Sequence, residues 1–324
     1  MRAPGFWYRP PGLASRLLSP LGALYAAGTA RRISRTEPET LPIPVMCVGN
    51  INVGGTGKTP TVIALIERLK EKGIAAHIVT RGHGGSLEGP LRVDERSHSA
   101  AQVGDEPLLL SAFAPVWMGK DRASAARKAV QDGAEMIILD DGHQNPALHK
   151  DISIVVVDAV RGFGNRKVLP AGPLREPVAN GLSRADLLLS IGSSKAQARF
   201  GGLNELPAGL PRLTGELLPL PTGMEWEGLR VFAFAGIGIP EKFFATLTRQ
   251  GAELVGSEAL DDHQPLNDAL MTRLSAEADR LGAQLVTTEK DAVRLPASFR
   301  SSVLTLPVRL KIEDWSAFDT LLPD

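Results

Sequence analysis

The sequence predicts an α/β protein with two lobes, one built on a parallel sheet and a second, smaller one. Two observations lead to this class. An apolar run over residues 45–48 leads into a glycine-rich loop, and an amphipathic run over residues 61–69 leads out of it, which is the order strand, loop, helix. A later strand, glycine turn and helix over residues 231–250 begin another α/β unit.

Length and composition agree with a globular α/β chain and exclude some functions. The 324 residues are 43% apolar and 22% charged, which is enough for two lobes and a sizeable core. The formal net charge of zero argues against a nucleic-acid partner. The single cysteine, Cys47, cannot form an internal disulfide, which fits a reducing compartment. No long apolar stretch is free of charge or proline, so no transmembrane helix is expected, and no obligate protein partner is evident.

The glycine-rich loop has the residues of a nucleotide-binding P-loop, which makes the first lobe a P-loop NTPase-type parallel sheet. Lys58 is expected to reach the β- and γ-phosphates of ATP, and Thr59 to hold Mg²⁺. Asn52 stands where the usual pattern has its first glycine, and Gly54 and Gly55 supply the backbone freedom instead. The alternative is a chance glycine turn with a surface lysine. The candidate nucleotide-binding residues are Asn52, Val53, Gly54, Gly55, Thr56, Gly57, Lys58 and Thr59.

The N-terminal 36 residues carry six arginines and no carboxylate. Three aromatic residues and a leucine series at helical spacing, interrupted by Pro20, lie in the same segment: Phe6, Trp7, Tyr8, Leu13, Leu17, Leu21 and Leu24. A signal peptide is not expected because the apolar part is broken. Arginines and aromatics on an amphipathic helix suit a membrane surface. The alternative is a helix that packs its leucines on its own domain.

Two predicted strands end in polar residues that are candidate ligands. The strand over residues 75–80 ends at Arg81, which either contacts a phosphate or is exposed in a turn. The apolar run over residues 136–139 ends at Asp140 and Asp141, which matches a Walker B strand whose carboxylate holds Mg²⁺. Such an Asp pair is also a common turn former, but the P-loop upstream favours the metal interpretation.

Other segments leave more alternatives open. Asp105 or Glu106 precedes Pro107 and an apolar run, so either residue is a candidate N-cap. Residues 161–177 are rich in Gly, Pro and Arg and predict a long structured loop. His263 lies between carboxylates and a proline, where the sequence alone favours a surface-loop histidine.

Further strands are predicted over residues 152–158, 187–189, 231–236, 284–288 and 302–308, and helices over 241–250 and 266–281. Residues 193–228 give no clear period.

Taken together, the motifs resemble one family, tetraacyldisaccharide 4′-kinase, the lipid A 4′-kinase of Gram-negative bacteria. The matching segments span residues 48–291. They are Val48-Gly49-Asn50, Gly54-Gly55-Thr56-Gly57-Lys58-Thr59-Pro60, Arg81-Gly82-His83-Gly84, Gly104-Asp105-Glu106-Pro107, Asp140-Asp141-Gly142-His143-Gln144, Pro170-Ala171-Gly172-Pro173-Leu174-Arg175-Glu176, Asp262-His263 and Thr288-Glu289-Lys290-Asp291. His83 and His143 stand where aromatic residues are expected from the resemblance.

The resemblance implies two α/β lobes joined by a short two-stranded ribbon. On this basis residues 1–151 form the kinase lobe with an N-terminal membrane-surface helix, and residues 294–324 return to it. Residues 160–285 form the second lobe, and residues 152–159 and 286–293 are the linking strands.

The resemblance also implies the reaction and the residues that perform it. The γ-phosphate of ATP passes to the 4′-hydroxyl of tetraacyldisaccharide 1-phosphate, a lipid A precursor, and the products are lipid IVA and ADP. Asp105 is the implied catalytic base, with His263 orienting it, and Lys58 and Arg122 neutralise phosphate charge. Thr59, Asp140 and Asp141 are the implied Mg²⁺ ligands, and the candidate substrate residues are Arg81, Gln144, Arg175 and Glu176. The implied location is peripheral, on the cytoplasmic face of the inner membrane of a Gram-negative bacterium.

Two other functions remain open at this stage. One is another P-loop transferase that acts on a soluble acceptor. The other is a membrane-associated P-loop switch ATPase, although such proteins carry a signature lysine where this chain has Val53. A GTPase would need Asn-Lys-x-Asp, which Glu289-Lys290-Asp291 does not supply, and this favours ATP.

Overall fold

The computed structural model describes residues 3–203, 206–262 and 264–323. Short 3₁₀ helices span Gly5–Tyr8 and Ala297–Phe299. The α-helices are α1 (Leu13–Arg35), α2 (Lys58–Glu71), α3 (Ala100–Val103), α4 (Asp105–Leu110), α5 (Arg122–Gln131), α6 (Val178–Leu182), α7 (Ser194–Leu203), α8 (Pro240–Arg249), α9 (Asp268–Arg280), α10 (Glu289–Ala292) and α11 (Ser316–Asp319). The strands are β1 (Val45–Gly49), β2 (Ala76–Thr80), β3 (Leu91–Arg92), β4 (Val116–Met118), β5 (Met136–Asp140), β6 (Ile152–Asp158), β7 (Leu187–Ile191), β8 (Arg212–Pro219), β9 (Arg230–Ala235), β10 (Glu253–Ala259), β11 (Gln284–Thr288), β12 (Leu304–Leu306) and β13 (Val308–Ile312).

The larger sheet has nine strands in the order β13-β8-β7-β6-β1-β5-β2-β4-β3. Its strands run parallel except at the two edges, where β3 pairs antiparallel with β4 and β13 pairs antiparallel with β8. Strand β1 lies between β5 and β6, so the glycine-rich loop leaves the middle of the sheet. The predicted α/β class with a P-loop lobe is therefore confirmed.

The central strands are buried along their whole length. Every residue of β1, β5 and β6 is buried, which explains why these strands read as continuous apolar runs rather than alternating ones. Helix α2 packs its apolar side on one face of the sheet, and the alanine-rich side of α5 packs on the other face. Covering both faces leaves the carboxyl ends of the strands as the accessible edge where ligand groups can gather.

The smaller sheet has four parallel strands in the order β10-β9-β11-β12. Alternate residues of β9 face opposite sides: Phe232 and Phe234 pack with α9, and Val231, Ala233 and Ala235 pack with α8. The predicted elements over residues 231–250 and 266–288 correspond to β9, α8, α9 and β11.

The expected division of the chain differs from the sheet pairing. Residues 152–159 are expected from the resemblance to link the lobes, but β6 (Ile152–Asp158) lies beside β1 in the interior of the large sheet. Strands β7 and β8 follow it in that sheet, so the small sheet begins only at Arg230 and not near residue 160. The seven buried residues of β6 explain the difference, because such a strand needs both of its faces covered.

The return to the large sheet also occurs later than residue 294. One strand was predicted over residues 302–308, and the structure divides it at Pro307 into β12 and β13. Proline has no N–H to continue a ladder. Strand β12 pairs with β11 in the small sheet, whereas β13 pairs with β8 in the large one. The chain thus crosses between the sheets after Pro219 and at Pro307.

Helix α1 exposes its leucines and buries its small residues. Leu13, Leu17, Leu21 and Leu24 are 76%, 71%, 53% and 71% exposed. The contact face contains Gly22, where a methyl group would lie 2.8 Å from the carbonyl oxygen of Val168. The alternative in which the leucines pack on the chain's own core is therefore wrong. Within the described part of the chain, every helix is too short or too polar to cross a membrane.

Candidate active site

The glycine-rich loop forms a turn that opens directly into α2. Gly54 and Gly57 have φ angles of 102° and 95°, which only glycine adopts without strain. Gly57 is the N-cap of α2 and provides no side chain to cap it. Lys58 and Thr59 are the first two residues of the helix, next to backbone N–H groups that favour a phosphate. The predicted strand, loop and helix are thus all present.

The first half of this loop is joined to the proline-rich loop, residues 161–177. The amide of Val53 donates to the carbonyl of Pro173 at 2.7 Å, and the amide of Arg175 donates to the carbonyl of Ile51 at 2.7 Å. The Asn52 side chain donates from Nδ2 to the carbonyl of Gly162 at 3.0 Å. Asn52 therefore occupies the position of the usual first glycine because its side chain anchors one loop to the other.

Asp140 lies at the end of β5 beside Val48 of β1. It is buried, and its Oδ1 atom has no hydrogen-bond partner among the described residues. Burial, followed by the negative charge of Glu106, raises the pKa of Asp140 to about 7. A cation bound at this strand end would stabilise the ionised form of the Asp140 carboxylate.

Asp141, the next residue, is held by two cations. Its Oδ1 atom lies 2.9 Å from Nη1 of Arg175 and 3.6 Å from Nζ of Lys58. Burial alone would raise the pKa of Asp141, but Lys58 and Arg175 outweigh it and hold the pKa at about 2. Its φ of 52° places it in the left-handed region, which turns the chain away from the strand. The two adjacent carboxylates therefore differ sharply in environment.

The two candidate arginines lie on neighbouring segments. Arg122 opens α5, and its Nη2 atom donates to the carbonyl of Asp141 at 3.0 Å. Arg81 is exposed at the end of β2 and adds a second positive charge close enough to act on Arg122. The structure thus brings both arginines towards the carboxyl end of β5.

Three candidate substrate residues form a chain of contacts behind Asp141. Arg175 donates from Nη1 to Oε1 of Gln144 at 3.3 Å, and Nε2 of Gln144 donates to Oε1 of Glu176 at 2.9 Å and to the carbonyl of Asn50 at 2.8 Å. Gln144 and Glu176 are buried, and Glu176 also accepts from Arg184 at 2.8 Å. These bonds fix the proline-rich loop against the end of β1.

Asp105 is the first residue of α4 rather than its N-cap. The N-cap is Gly104, whose φ of 94° suits glycine, so the N-cap interpretation of Asp105 or Glu106 is wrong. The Oδ1 atom of Asp105 accepts from the amide of Glu106 at 2.9 Å, and its Oδ2 atom lies 3.7 Å from Nε of Arg294. His263, the expected partner of Asp105, lies outside the described residues.

Besides His263, which the resemblance implies, two lysines of the small-sheet side form ion pairs with carboxylates of the large-sheet side. Lys290 Nζ lies 3.1 Å from Oε1 of Glu106, and Lys242 Nζ lies 2.5 Å from Oδ2 of Asp158 at the end of β6. The motif over residues 288–291 was a signal for Lys290. No sequence motif indicated Arg294, because only the packing of the two sheets brings it to Asp105.

Known proteins are similar to this chain over nearly its whole length. The family model described as Tetraacyldisaccharide-1-P 4′-kinase matches residues 14–324. The tetraacyldisaccharide 4′-kinase of Jannaschia sp. (strain CCS1) is 63% identical over 321 residues, covering 99% of this chain and 98% of that relative. The one from Dinoroseobacter shibae is 63% identical over 332 residues, covering 100% of this chain and 98% of that relative.

A solved structure is also similar. It is a crystal structure of LpxK from Aquifex aeolicus in complex with ATP, with a TM-score of 0.78 at 27% identity. The match covers 95% of this chain and 98% of that chain.

Proposed function

The chain belongs to the tetraacyldisaccharide-1-P 4′-kinase family, and from this premise we propose how its residues perform the reaction. It is an ATP-dependent kinase of lipid A biosynthesis. It transfers the γ-phosphate to the 4′-hydroxyl of tetraacyldisaccharide 1-phosphate and gives lipid IVA and ADP. The observation that supports this proposal is that Lys58 lies 3.6 Å from Asp141 at the end of β5, while Glu106, which follows Asp105, lies close enough to act on the charge of Asp140.

The P-loop and its neighbours bind the triphosphate. The backbone of residues 52–59 and the start of α2 present N–H groups to phosphate oxygens. Lys58 neutralises the β- and γ-phosphates, and Arg122 and Arg81 add positive charge from α5 and β2. Phosphoryl transfer depends mainly on such alignment and charge neutralisation.

The residues around Asp140 fit Mg²⁺. The free Oδ1 atom of Asp140 and the hydroxyl of Thr59 are hard oxygen donors, which Mg²⁺ prefers. The described residues hold no cluster of three or more His, Cys, Asp or Glu side chains, so waters and phosphate oxygens would complete the shell. Mg²⁺ held by these residues would supply positive charge against the negative charge of the transferring phosphate. Asp141 already contacts Lys58 and Arg175. It would therefore act on Mg²⁺ from outside the ligand shell, or bind Mg²⁺ only after leaving these two cations.

Asp105 accepts the proton of the 4′-hydroxyl. It is buried at the start of α4, and the neighbouring Glu106 is close enough to raise the pKa of Asp140. The base therefore lies on the side of the site that faces the metal ligands. A sugar hydroxyl is a weak nucleophile, so a positioned carboxylate that takes its proton accelerates the attack.

A transfer assay with labelled ATP tests the function. We expect label from the γ-phosphate to appear in the lipid only when tetraacyldisaccharide 1-phosphate is supplied, and ADP to form in equal amount. Nucleotide turnover without any acceptor would favour the switch ATPase. A labelled water-soluble product instead of a labelled lipid would favour the transferase with a soluble acceptor.

We also infer that α1 docks the enzyme on the cytoplasmic face of the inner membrane. Its leucine stripe is exposed, and exposed arginines flank it, including Arg16, Arg31 and Arg32. Anionic lipids attract such a segment by about 1 kcal/mol for each nearby basic residue. The acceptor carries acyl chains, so a membrane-bound enzyme meets it where it resides. Trp7 takes no part in this surface, because it is buried and donates to the carbonyl of Pro170 at 3.1 Å.

Point variants test the docking better than deletion, since deletion would also remove Trp7. Combined Leu13→Ser, Leu17→Ser and Leu24→Ser should weaken binding to anionic vesicles at least about tenfold, because each leucine loses apolar burial. The matched control replaces exposed apolar residues elsewhere, Leu218→Ser and Leu220→Ser, and should bind normally. Salt should release part of the wild-type binding, because charges are screened over about 10 Å at 0.1 M. Undiminished vesicle binding by the triple variant would refute the docking.

A further inference from the structure

Arg294 follows α10 on the small-sheet side of the site, and groups of that side hold its guanidinium. Nη1 donates to the carbonyl of Gln264 at 2.7 Å, and Nη2 donates to the carbonyl of Gly236 and to the carboxylate of Asp291. Asp291 is fixed in turn, because it accepts from the hydroxyl of Thr288 at 2.6 Å and from the amide of Gly236 at 3.1 Å. Hydrogen bonds to the small-sheet side therefore hold both terminal nitrogens, Nη1 and Nη2.

The third nitrogen of this guanidinium group, Nε, faces the large-sheet side of the boundary between the two sheets. Nε of Arg294 has no hydrogen-bond partner among the residues that the structure describes, and it lies 3.7 Å from Oδ2 of Asp105. The two side chains are only 8% and 3% exposed. A buried donor without a hydrogen-bond partner destabilises the fold, so its presence calls for an explanation. The separation exceeds a hydrogen bond, which makes this contact a buried ion pair.

We propose that Arg294 is a positioning residue for phosphoryl transfer, which keeps the carboxylate of Asp105 ionised and correctly oriented from the opposite sheet. This rests on the proposed function, in which Asp105 accepts the proton of the acceptor hydroxyl. Burial favours the protonated form of a carboxyl group, and a cation at this distance favours the ionised form. The Glu106 amide holds Oδ1 and Arg294 faces Oδ2, so the carboxylate is oriented from two sides.

Other charges near Asp105 belong to the same boundary. Lys290 brings a second positive charge and lies 3.1 Å from Glu106 and 3.6 Å from Asp262. Glu106 brings negative charge, and Asp291 partly neutralises Arg294. The position of Arg294 is fixed by its bonds to the backbone carbonyls of Gln264 and Gly236. Its removal should therefore change the electrostatics of Asp105 and not only the contact between the sheets.

The test is the pH profile of Arg294→Gln in the full-length enzyme with ATP and the lipid acceptor. We expect kcat to fall at least about tenfold. The KM for ATP should change by less than about twofold, since Arg294 does not contact the P-loop. The acidic limb of kcat should move to higher pH by about one unit, because a carboxylate that loses a cation protonates more readily. A folded Arg294→Gln with the wild-type kcat and the wild-type acidic limb would overturn the proposal.

Asp291→Asn provides a second, opposite signature and keeps the test decisive if Arg294→Gln does not fold. Removing the charge of Asp291 leaves more of the positive charge of Arg294 acting on Asp105, so the acidic limb should move to lower pH. An unmoved limb in Asp291→Asn would contradict the proposal. The matched control is Arg273→Gln, which breaks an exposed ion pair with Glu258 on the same sheet and should leave the profile unchanged.

The wild-type enzyme separates the two hypotheses. If it phosphorylates the lipid but the limb does not move in either variant, only the role of Arg294 fails. If the wild type transfers no phosphate to the lipid, the proposed function itself fails. Arg294→Lys retains the charge without the planar fork, and we expect its acidic limb to stay near wild type while kcat falls.

Discussion

The two halves of the candidate site are built in different ways. The large-sheet half takes its groups from the ends of adjacent parallel strands, with Lys58 after β1 and Asp140 at the end of β5. The small-sheet half takes its groups from α10 and the residues just after it. Lys290 contacts Glu106 and Arg294 contacts Asp105 on the large-sheet side. The first half is fixed by strand register within one sheet. The second depends on how two sheets pack, so the position of its charges can change with that packing.

The largest expected effect lies in the large-sheet half. Lys58→Ala, Thr59→Ala and Asp140→Ala should each lower kcat at least about 100-fold, because preorganised charge is usually the largest catalytic contribution. Steady-state kinetics with the lipid acceptor measure this. Lys128→Ala on the exposed side of α5 is a matched control and should retain activity. Near-normal turnover by Lys58→Ala would show that the P-loop lysine is not needed for catalysis. The large-sheet half would then not make the larger catalytic contribution.

The next effect tests whether the two halves act together. Asp105→Ala should lower kcat by about 100-fold or more, the usual contribution of a positioned base. If His263 acts with Asp105 as one unit, the double variant should lose little more than the larger single loss. The measurement is kcat for Asp105→Ala, His263→Ala and both together. A double loss equal to the product of the single losses would show that the two residues work independently.

The smallest effect concerns the stability of the large-sheet half at acid pH. His143 is buried beneath β1, and its Nε2–H donates to the carbonyl of Gly181 at 2.9 Å. Its Nδ1 atom has no hydrogen-bond partner in the part of the chain that the structure describes. Burial, followed by the positive charge of Arg184, lowers its pKa from 6.5 to about 4. Between these values the unfolded chain binds the proton and the folded chain does not. Stability is therefore lost as pH falls from 6.5 towards 4, by up to about 3 kcal/mol.

His143→Phe should remove this component from the pH dependence of the free energy of unfolding, measured by denaturant titration between pH 4 and pH 7. The lost bond to Gly181 adds a constant cost of about 1 kcal/mol, which does not depend on pH. His149→Gln at an exposed position is the control and should follow the wild-type curve. An unchanged acid dependence in His143→Phe would show that other groups cause it.

Some residues that the sequence predicted for the site have contacts that the sequence did not indicate. Asn52 was included in the nucleotide loop, but its side chain anchors that loop to Gly162. Asp105 was open to an N-cap interpretation, because a carboxylate before a proline and an apolar run is typical of a helix start. Short-range patterns of this kind give the residue but not the partner, since the partner comes from another part of the chain.

The sequence alone determined the α/β class, the strand, glycine-rich loop and helix of the first unit, the strand that ends at Asp140, and the second α/β unit. It could do so because each depends on a short stretch whose periodicity or glycine placement has one favourable backbone solution. The tertiary structure alone decided the sheet to which β6, β7 and β8 belong, the split of the last strand at Pro307 and the exposure of the leucines of α1. It also decided that Arg294 faces Asp105. These features depend on contacts between residues far apart in the chain, and such contacts leave no periodic signal in the sequence.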